Sequence, residues 1–533
     1  MKRTPLSVLT ALAVAGCTVG PNYQAPRLDA GRAFSEVQPV STTQPSKAVT
    51  QPIELTEWWA TFNDPELNEL ARRAVKANPS LVQAESRIRQ ARWAAVVAGA
   101  AEYPVVNVGG GYAHARGSKN IVFPPSAFGA PAGIKGRQAP SRVDQPSEPS
   151  SSAAAAGTAS SGIPLSPLGQ GGLPGVSTDL YQAGFDASWE IDVFGGVRRS
   201  VEAANADYQA AVEDRRDVCI TLVSEIAVNY VELRGYQRQI QIAQENLKAQ
   251  QQSLALTQEK FHAGVTTQLD VARAQAQVAT TAAGIPSLDA QVHQSIHRIS
   301  VLLGEHPDAL MEELAADRPI PQAPATVAVG MPAELLRRRP DLRRAERQLA
   351  AASARVGVAT ADLYPKFSLL GTFGFDATKF THVADWSSRY YSIGPGVSWP
   401  IFDAGRIRAN IHVQDESQAQ ALSAYEQTLL IALQDVEDAL AAYSREQLRR
   451  QALAEAVAAN RQAVDLATQQ YQQGVVDFLT VLEAQRALYG AEDALAQSDE
   501  QIAADLVALY KALGGGWEVE RSPQDRGTRP SPG

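Results

Sequence analysis

The sequence predicts a mixed α and β chain, internally duplicated, that combines long helices of coiled-coil character with antiparallel strands patterned like those of a transmembrane β-barrel. Three observations predict it. A set of residues recurs at fixed offsets, apolar residues recur every seven along two proline-free stretches, and four short segments alternate apolar with polar residues.

Composition narrows the function classes. The 533 residues include 48 Lys and Arg against 57 Asp and Glu, a net charge of −9, with no local basic patch, so nucleic acid is not an expected partner. Two cysteines, Cys17 and Cys219, build no disulfide framework, and no CxxC metal spacing occurs. Beyond the first residues no stretch approaches the roughly 18–20 apolar residues of a transmembrane helix, so this chain would have to cross a membrane as strands.

The first element is an address. Lys2 and Arg3 precede an apolar run over residues 6–15, the two parts of an export signal. The run ends Val14-Ala15-Gly16-Cys17, which resembles the lipobox of bacterial lipoproteins. That resemblance implies removal of residues 1–16 and acylation of Cys17 with diacylglyceryl and N-palmitoyl groups, enough chains for stable anchoring. Thr18 stands where an inner-membrane retention signal would have Asp, which favours the outer membrane.

An N-terminal segment with the first short helices (17–101) leads into the duplication. Tyr103-Pro104 and Tyr364-Pro365 lie 261 apart, as do Pro79, Leu81, Ala84 and Glu85 and their counterparts Pro340, Leu342, Ala345 and Glu346. From Trp189-Glu-Ile to Trp399-Pro-Ile the offset is 210, and it stays 210 through Gly264/Gly474 and Gln275/Gln485. The first half therefore carries 51 extra residues, which fall in the Pro/Gly/Ser/Ala-rich tract 118–178, a loop by composition. That loop interrupts β-hairpin 1 (102–194), whose counterpart is β-hairpin 2 (364–403).

The hairpin segments alternate with period two. Tyr181, Ala183, Phe185, Ala187, Trp189, Ile191 and Val193 form one face, and Gln182, Gly184, Asp186, Ser188, Glu190 and Asp192 the other. Phe367, Leu369, Phe373 and Phe375, then Tyr391, Ile393, Val397, Trp399 and Ile401, repeat the pattern. Apolar-out, polar-in strands of about ten residues with aromatics near their ends mark a membrane β-barrel, though a half-buried soluble sheet alternates in the same way. Four strands cannot close a barrel. Two chains would give eight strands, which side chains fill; three would give twelve and room for a channel.

After each hairpin comes a long helix, a tip and a returning helix (195–303 and 404–513). Val212, Cys219, Ile226, Leu233, Ile240, Leu247, Leu254 and Phe261 recur every seven, and the second half answers with Leu422, Leu429, Val436, Tyr443, Arg450, Val457, Val464 and Tyr471, Arg450 alone out of character. Each proline-free stretch predicts one helix of roughly 65–70 residues, ~100 Å at 1.5 Å per residue. Cys219 on this seam reads as a small buried hydrophobe. Gly264 and Gly474 turn the chain into returning helices over about 267–303 and 477–513. An equatorial linker (304–340) and a short helix (341–363) join the repeats, and 514–533 reads as a disordered tail.

With these residues in hand, the chain resembles the TolC-like outer-membrane efflux channels, specifically the OprM/NodT-type lipoprotein branch. The motifs are Gly16-Cys17-Thr-Val-Gly-Pro-Asn-Tyr, Trp58-Trp59 with Phe62-x-Asp64-Pro65-Glu66-Leu67, Arg339-Pro340-Asp341-Leu342, Tyr364-Pro365, Trp399-Pro400-Ile401-Phe402-Asp403-x-Gly405-Arg406 and Leu482-Glu483-Ala484-Gln485-Arg486. The resemblance runs from about residue 17 to about 513. It implies a homotrimer in the outer membrane of a Gram-negative bacterium, with a twelve-stranded β-barrel and a twelve-helix α-barrel reaching into the periplasm. Its partners would be a periplasmic membrane-fusion adaptor and an inner-membrane pump of the resistance-nodulation-division (RND) type.

The resemblance also implies sites. Leu479, Glu483 and Arg486, at i, i+4 and i+7, match the family's periplasmic gate, and Gly264-Val265 and Gly474-Val475 match the tips that meet the adaptor. Thr480 stands where some relatives carry a second acid. No enzyme is expected. His293 and His297 have zinc-compatible spacing, but Gln294 replaces the glutamate of HExxH, and no nucleophile elbow or phosphate loop occurs. No metal or cofactor beyond the N-terminal lipid is implied. The function read from the sequence is a gated exit duct of a tripartite efflux system for small molecules. The alternatives are a type I protein-secretion duct and a structural envelope lipoprotein with no channel.

Overall fold

A computed structural model describes residues 18–26, 28–29, 31, 33–36, 47–49, 55–116, 177–324 and 326–518. Cys17, residues 118–176 of the expected loop and residues 519–533 lie outside that set. The chain divides into two compact units, one of residues 1–20, 97–201 and 357–411, the other of the remainder.

The first unit is built on one antiparallel sheet. Its strands, taken in chain order after the short β1 (Lys47–Val49) of the other unit, are β2 (Val105–Arg116), β3 (Ser177–Ile191), β5 (Lys366–Ala377) and β6 (Arg389–Ser398), and they lie in the order β2-β3-β5-β6. Both expected hairpins are present; their strands are shorter than the expected 102–194 and 364–403, and the last ends at Ser398, five residues before 403. The register puts Val108, Phe185, Phe373 and Tyr391 side by side across all four strands, 75%, 56%, 40% and 74% exposed. One residue along, Asn107, Asp186, Thr372 and Ser392 line up on the opposite face, and Asn107 Nδ2 donates to Asp186 Oδ2 at 2.9 Å.

The duplication is visible in detail at the feet of the strands. Trp189 Nε1 donates to the carbonyl of Glu102, and Trp399 Nε1 to that of Leu363, each at 2.9 Å. Each tryptophan thus ties the strand that leaves the sheet to the residue before the Tyr-Pro of the strand that enters it. Tyr112, Tyr181 and Phe380 cluster at the far end of the sheet and Phe194 stacks on Tyr364 at the near end, two aromatic groups bracketing the apolar face. Among the described residues, no helix is long and apolar enough to cross a membrane.

The long helices are α3 (Gly196–His262) and α8 (Arg406–Gln472), each of 67 residues, and the returning helices are α4 (Gln268–Leu302) and α9 (Phe478–Ala512), each of 35. Helix α4 runs through Pro286 without ending. The smaller helices are α1 (Pro65–Ala77), α2 (Pro79–Ala100), α5 (Met311–Leu314), α6 (Pro332–Arg338) and α7 (Pro340–Ala361), and β4 (Thr326–Ala328) pairs in parallel with β1.

In the second unit the seven-residue seam is buried where α3 and α8 join the main core, at Cys219, Ile226 and Leu233 and at Leu429, Val436 and Tyr443. Cys219 is a buried free thiol, as its place on the seam implies. Arg450, the misfit of that seam, is an ion-pair partner of Asp499 on α9.

The core is closed by the Trp58-Trp59 pair and by a fully buried Arg234. The Arg234 guanidinium meets Glu66 and donates to the Ala316 carbonyl at 2.7 Å and to Gln237 Oε1 at 2.6 Å. Tyr230 donates to Asp64 and Glu66. This network ties α1 and the linker to the long helix, and removing one partner would strand a buried charge.

Residues 514–517, expected to belong to a disordered tail, are packed on the core. Gly514, Gly515 and Gly516 are buried, and Trp517 lies under the guanidinium of Arg216, 4.5 Å from the ring centroid. A side chain at Gly515 or Gly516 would strike Leu55 or Trp58, so the glycines let the chain lie flat on the tryptophan pair.

Glu500 of α9 lies against Gly235 of α3, where a Cβ would fall 2.1 Å from its carboxylate. Glu232 and Tyr236 face it from α3, and Arg298 of α4 holds Glu232 at 3.8 Å. Burial, and then the neighbouring Glu232 charge, push the Glu500 carboxyl up to about 7. Unfolding therefore releases a proton between pH ~4.5 and ~7, and stability falls as pH rises through that window. Glu500→Gln should flatten the pH dependence and stabilise the protein at pH 8 by about 1–2 kcal/mol, read by denaturation in detergent; an unchanged pH slope would contradict this.

Candidate functional site

The two helix hairpins end in turns of the same construction. Gly264 and Gly474 take φ of 72° and 78°, the left-handed conformation that lets a helix end and reverse. Val265 N donates to the Lys260 carbonyl and Gly264 N to that of Phe261, each at 2.9 Å; Val475 and Gly474 make the same pair to Gln470 and Tyr471. These are Schellman closures. They leave Val265 and Val475 69% exposed, with nothing within 4 Å of a Cβ built on either glycine.

Each returning helix is then restarted by a side chain. Thr267 and Asp270 form a capping box at α4, and Thr266 also donates to Asp270 at 2.8 Å. Burial pushes the Asp270 carboxyl up, but the threonine hydrogen bonds outweigh it and hold the group below the usual carboxylate range. At α9 the cap is Asp477, which accepts from the Thr480 amide at 3.1 Å and its hydroxyl at 2.8 Å. Thr480 is thus part of the cap.

The candidate gate lies one turn further on. Leu479 packs on a small apolar cluster that includes Tyr471, Phe478, Val481, Leu482 and Ala274. Glu483 and Arg486 are exposed on the same helix. Arg486 Nε donates to Gln277 Oε1 of α4 at 2.6 Å, and Glu483 has no ion-pair partner among the described residues of its own chain. Gln485, between them, donates to Ser253 of α3 at 2.8 Å. Leu479, Glu483 and Arg486 thus follow directly on the Gly474-Val475 turn, and Cys17, the expected lipidation site, lies outside the described residues. Unforeseen in the sequence are the ties from Gln485 and Arg486 to the first hairpin, which carry no spacing signal.

Residues 70–305 and 331–515 match the family model for outer membrane efflux proteins. The chain belongs to that family. It is 30% identical to Nodulation protein T of Rhizobium leguminosarum bv. trifolii over 510 residues, 95% of this chain and 96% of the relative. To the pyoverdine export outer membrane protein OpmQ of Pseudomonas putida it is 33% identical over 484 residues, 90% of this chain and 93% of the relative. Among solved structures it superposes on the outer-membrane channel OprN with a TM-score of 0.79 at 34% identity, over 94% of this chain and all of that one. The open-state MtrE channel of Neisseria gonorrhoeae gives 0.73 at 25% identity, over 95% of this chain and all of that one. The family member is thus a channel of TolC-like fold and an outer-membrane exit duct for efflux, and not an enzyme.

Proposed function

We propose that three copies of this chain close a twelve-stranded barrel in the outer membrane and a gated α-helical tunnel below it. The assembly passes small molecules from an RND-type pump and the periplasm to the exterior. The observation that carries this reading is the sheet itself. Its apolar residues are aligned and exposed on one face, and β2 and β6 have a strand neighbour on one side only among the described residues. Such a sheet is tolerated in lipid only when other copies pair its edges.

The lipid anchor fits the same place. Val19 N donates to the Phe194 carbonyl at 3.1 Å and Arg199 Nε to the Val19 carbonyl at 3.2 Å, which pins the residues just after Cys17 at the foot of β3. Acyl chains on Cys17 would enter the membrane beside the barrel. At the other working end, the exposed Val265 and Val475 turns present small apolar knobs to the adaptor. Gly264→Trp or Gly474→Trp should abolish efflux while trimers still form; normal efflux in these variants would remove the docking assignment.

Three-fold symmetry would make Leu479 an apolar collar and Glu483 and Arg486 rings of charge. Glu483, with no ion-pair partner among the described residues of its own chain, is available to a neighbour. Purified acylated protein in a planar bilayer should give small, rarely open currents, and Glu483→Ala/Arg486→Ala should raise them several-fold. Equal open currents would move the gate elsewhere, and no current from either folded protein would favour a structural spacer.

A further inference from the structure

We propose that Lys260 is a second gate residue, a latch that holds the two helix hairpins of one chain together at their tips. The inference rests on the gated-duct reading above. Lys260 sits two residues before the end of α3 and sends its ammonium across to the last turn of α8. Nζ donates to the Tyr471 carbonyl and, at 3.4 Å, to the Gln472 carbonyl, and lies 4.2 Å from the centroid of the Tyr471 ring.

The final carbonyls of a helix carry the negative end of its dipole, and the Tyr471 carbonyl, which already accepts from Gly474 N at 3.1 Å, has a second lone pair to offer, so a cation there is held by hydrogen bonds and by the helix field together. The face of an aromatic ring adds to that attraction. The acceptors are also well fixed. Tyr471 is buried, its hydroxyl reaches Thr257 of α3 at 3.4 Å, and its ring packs 5.7 Å from Phe478. Among the described residues no carboxylate forms an ion pair with Lys260, so the α8 terminus does not compete with one for the ammonium.

The duplication shows that this contact is particular to one seam. Shifted by 210 residues, Lys260 becomes Gln470 and Tyr471 becomes Phe261. The second hairpin therefore has no cation at the position equivalent to Lys260 with which to make the same contact to a neighbouring chain. In a ring of six hairpins the seams alternate, the three within chains carrying the lysine latch and the three between chains lacking it. Moving the second hairpin away from the first to widen the entrance must pull each ammonium off its carbonyls. Lys260 then sets the balance between closed and open, alongside Leu479, Glu483 and Arg486.

Planar-bilayer recordings of the full acylated trimer test this, with Glu483→Ala/Arg486→Ala as the comparison. Lys260→Met should raise the time-averaged open current roughly tenfold or more, the factor expected for loss of a charge-assisted hydrogen bond, while Lys260→Arg stays near the parent. If Lys260→Met is as closed as the parent while the Glu483/Arg486 variant conducts, the latch is wrong and the hairpins of a chain move as one body. If every variant is silent as a folded trimer, the duct reading fails and the latch with it.

Lys260→Cys keeps the test within one folded molecule. Treatment with 2-aminoethyl methanethiosulfonate, which forms a mixed disulfide and restores an ammonium near the lysine position, should lower the raised current, and the neutral methyl reagent should not. Equal effects of the two reagents would overturn the role of the charge. Cys219 is buried, leaving the introduced thiol as the target among the described residues.

Discussion

A strand in a lipid bilayer must be hydrogen-bonded on both sides, because no water is present to satisfy its free N–H and C=O groups. That constraint governs this chain. Among the described residues its sheet has four strands, an apolar face fit for lipid and two edges without a strand neighbour. On the proposed reading the sheet is completed by other copies, and the number of strands per chain decides how wide that assembly is. The helical part answers to the same symmetry, since each hairpin of strands is followed by one hairpin of helices.

Duplication is how one chain meets the demand twice. The two halves agree to the residue in helix length and in the tryptophan tie at the foot of each hairpin. They differ where specific chemistry is placed. The seam position occupied by Ile240 in the first half is Arg450 in the second, paired to Asp499. Glu483 has Arg273 as its counterpart, paired to Asp270 at 3.7 Å within its own helix. Near-symmetry suits the two hairpins to alternate in the proposed ring, and departures from it make them chemically unequal at the tip.

Much of this was legible because backbone geometry punctuates the sequence. Gly195, Gly264, Gly405 and Gly474 all take positive φ, and each marks the start or end of a long helix. Period-two alternation marks all four strands, since an exposed apolar face leaves no freedom of register, but it runs on past Ser398 to Trp399 and Ile401, where the strand has already ended. The expected break at residue 514 was misplaced: three glycines read as a flexible tail, yet they are the residues that can lie flat on Trp58 and Trp59. The Arg234–Glu66 pair was invisible because its partners are 168 residues apart and a charge on a helix ordinarily reads as solvated. The gate positions were legible through family resemblance alone, for an acid and an arginine three residues apart on a helix are commonplace. Lys260 had no signal at all, because its acceptors are backbone carbonyls of another helix.

The central claim is that one face of the four-stranded sheet meets lipid and the other lines a water-filled duct. Single cysteines at Phe185 and Phe373 on one face, and at the neighbouring Asp186 and Thr372 on the other, test it in native outer membranes with a water-soluble thiol reagent. The account predicts rapid labelling of the Asp186 and Thr372 positions and protection of the Phe185 and Phe373 positions. Equal labelling of neighbouring residues, or the reverse pattern, would contradict a spanning barrel.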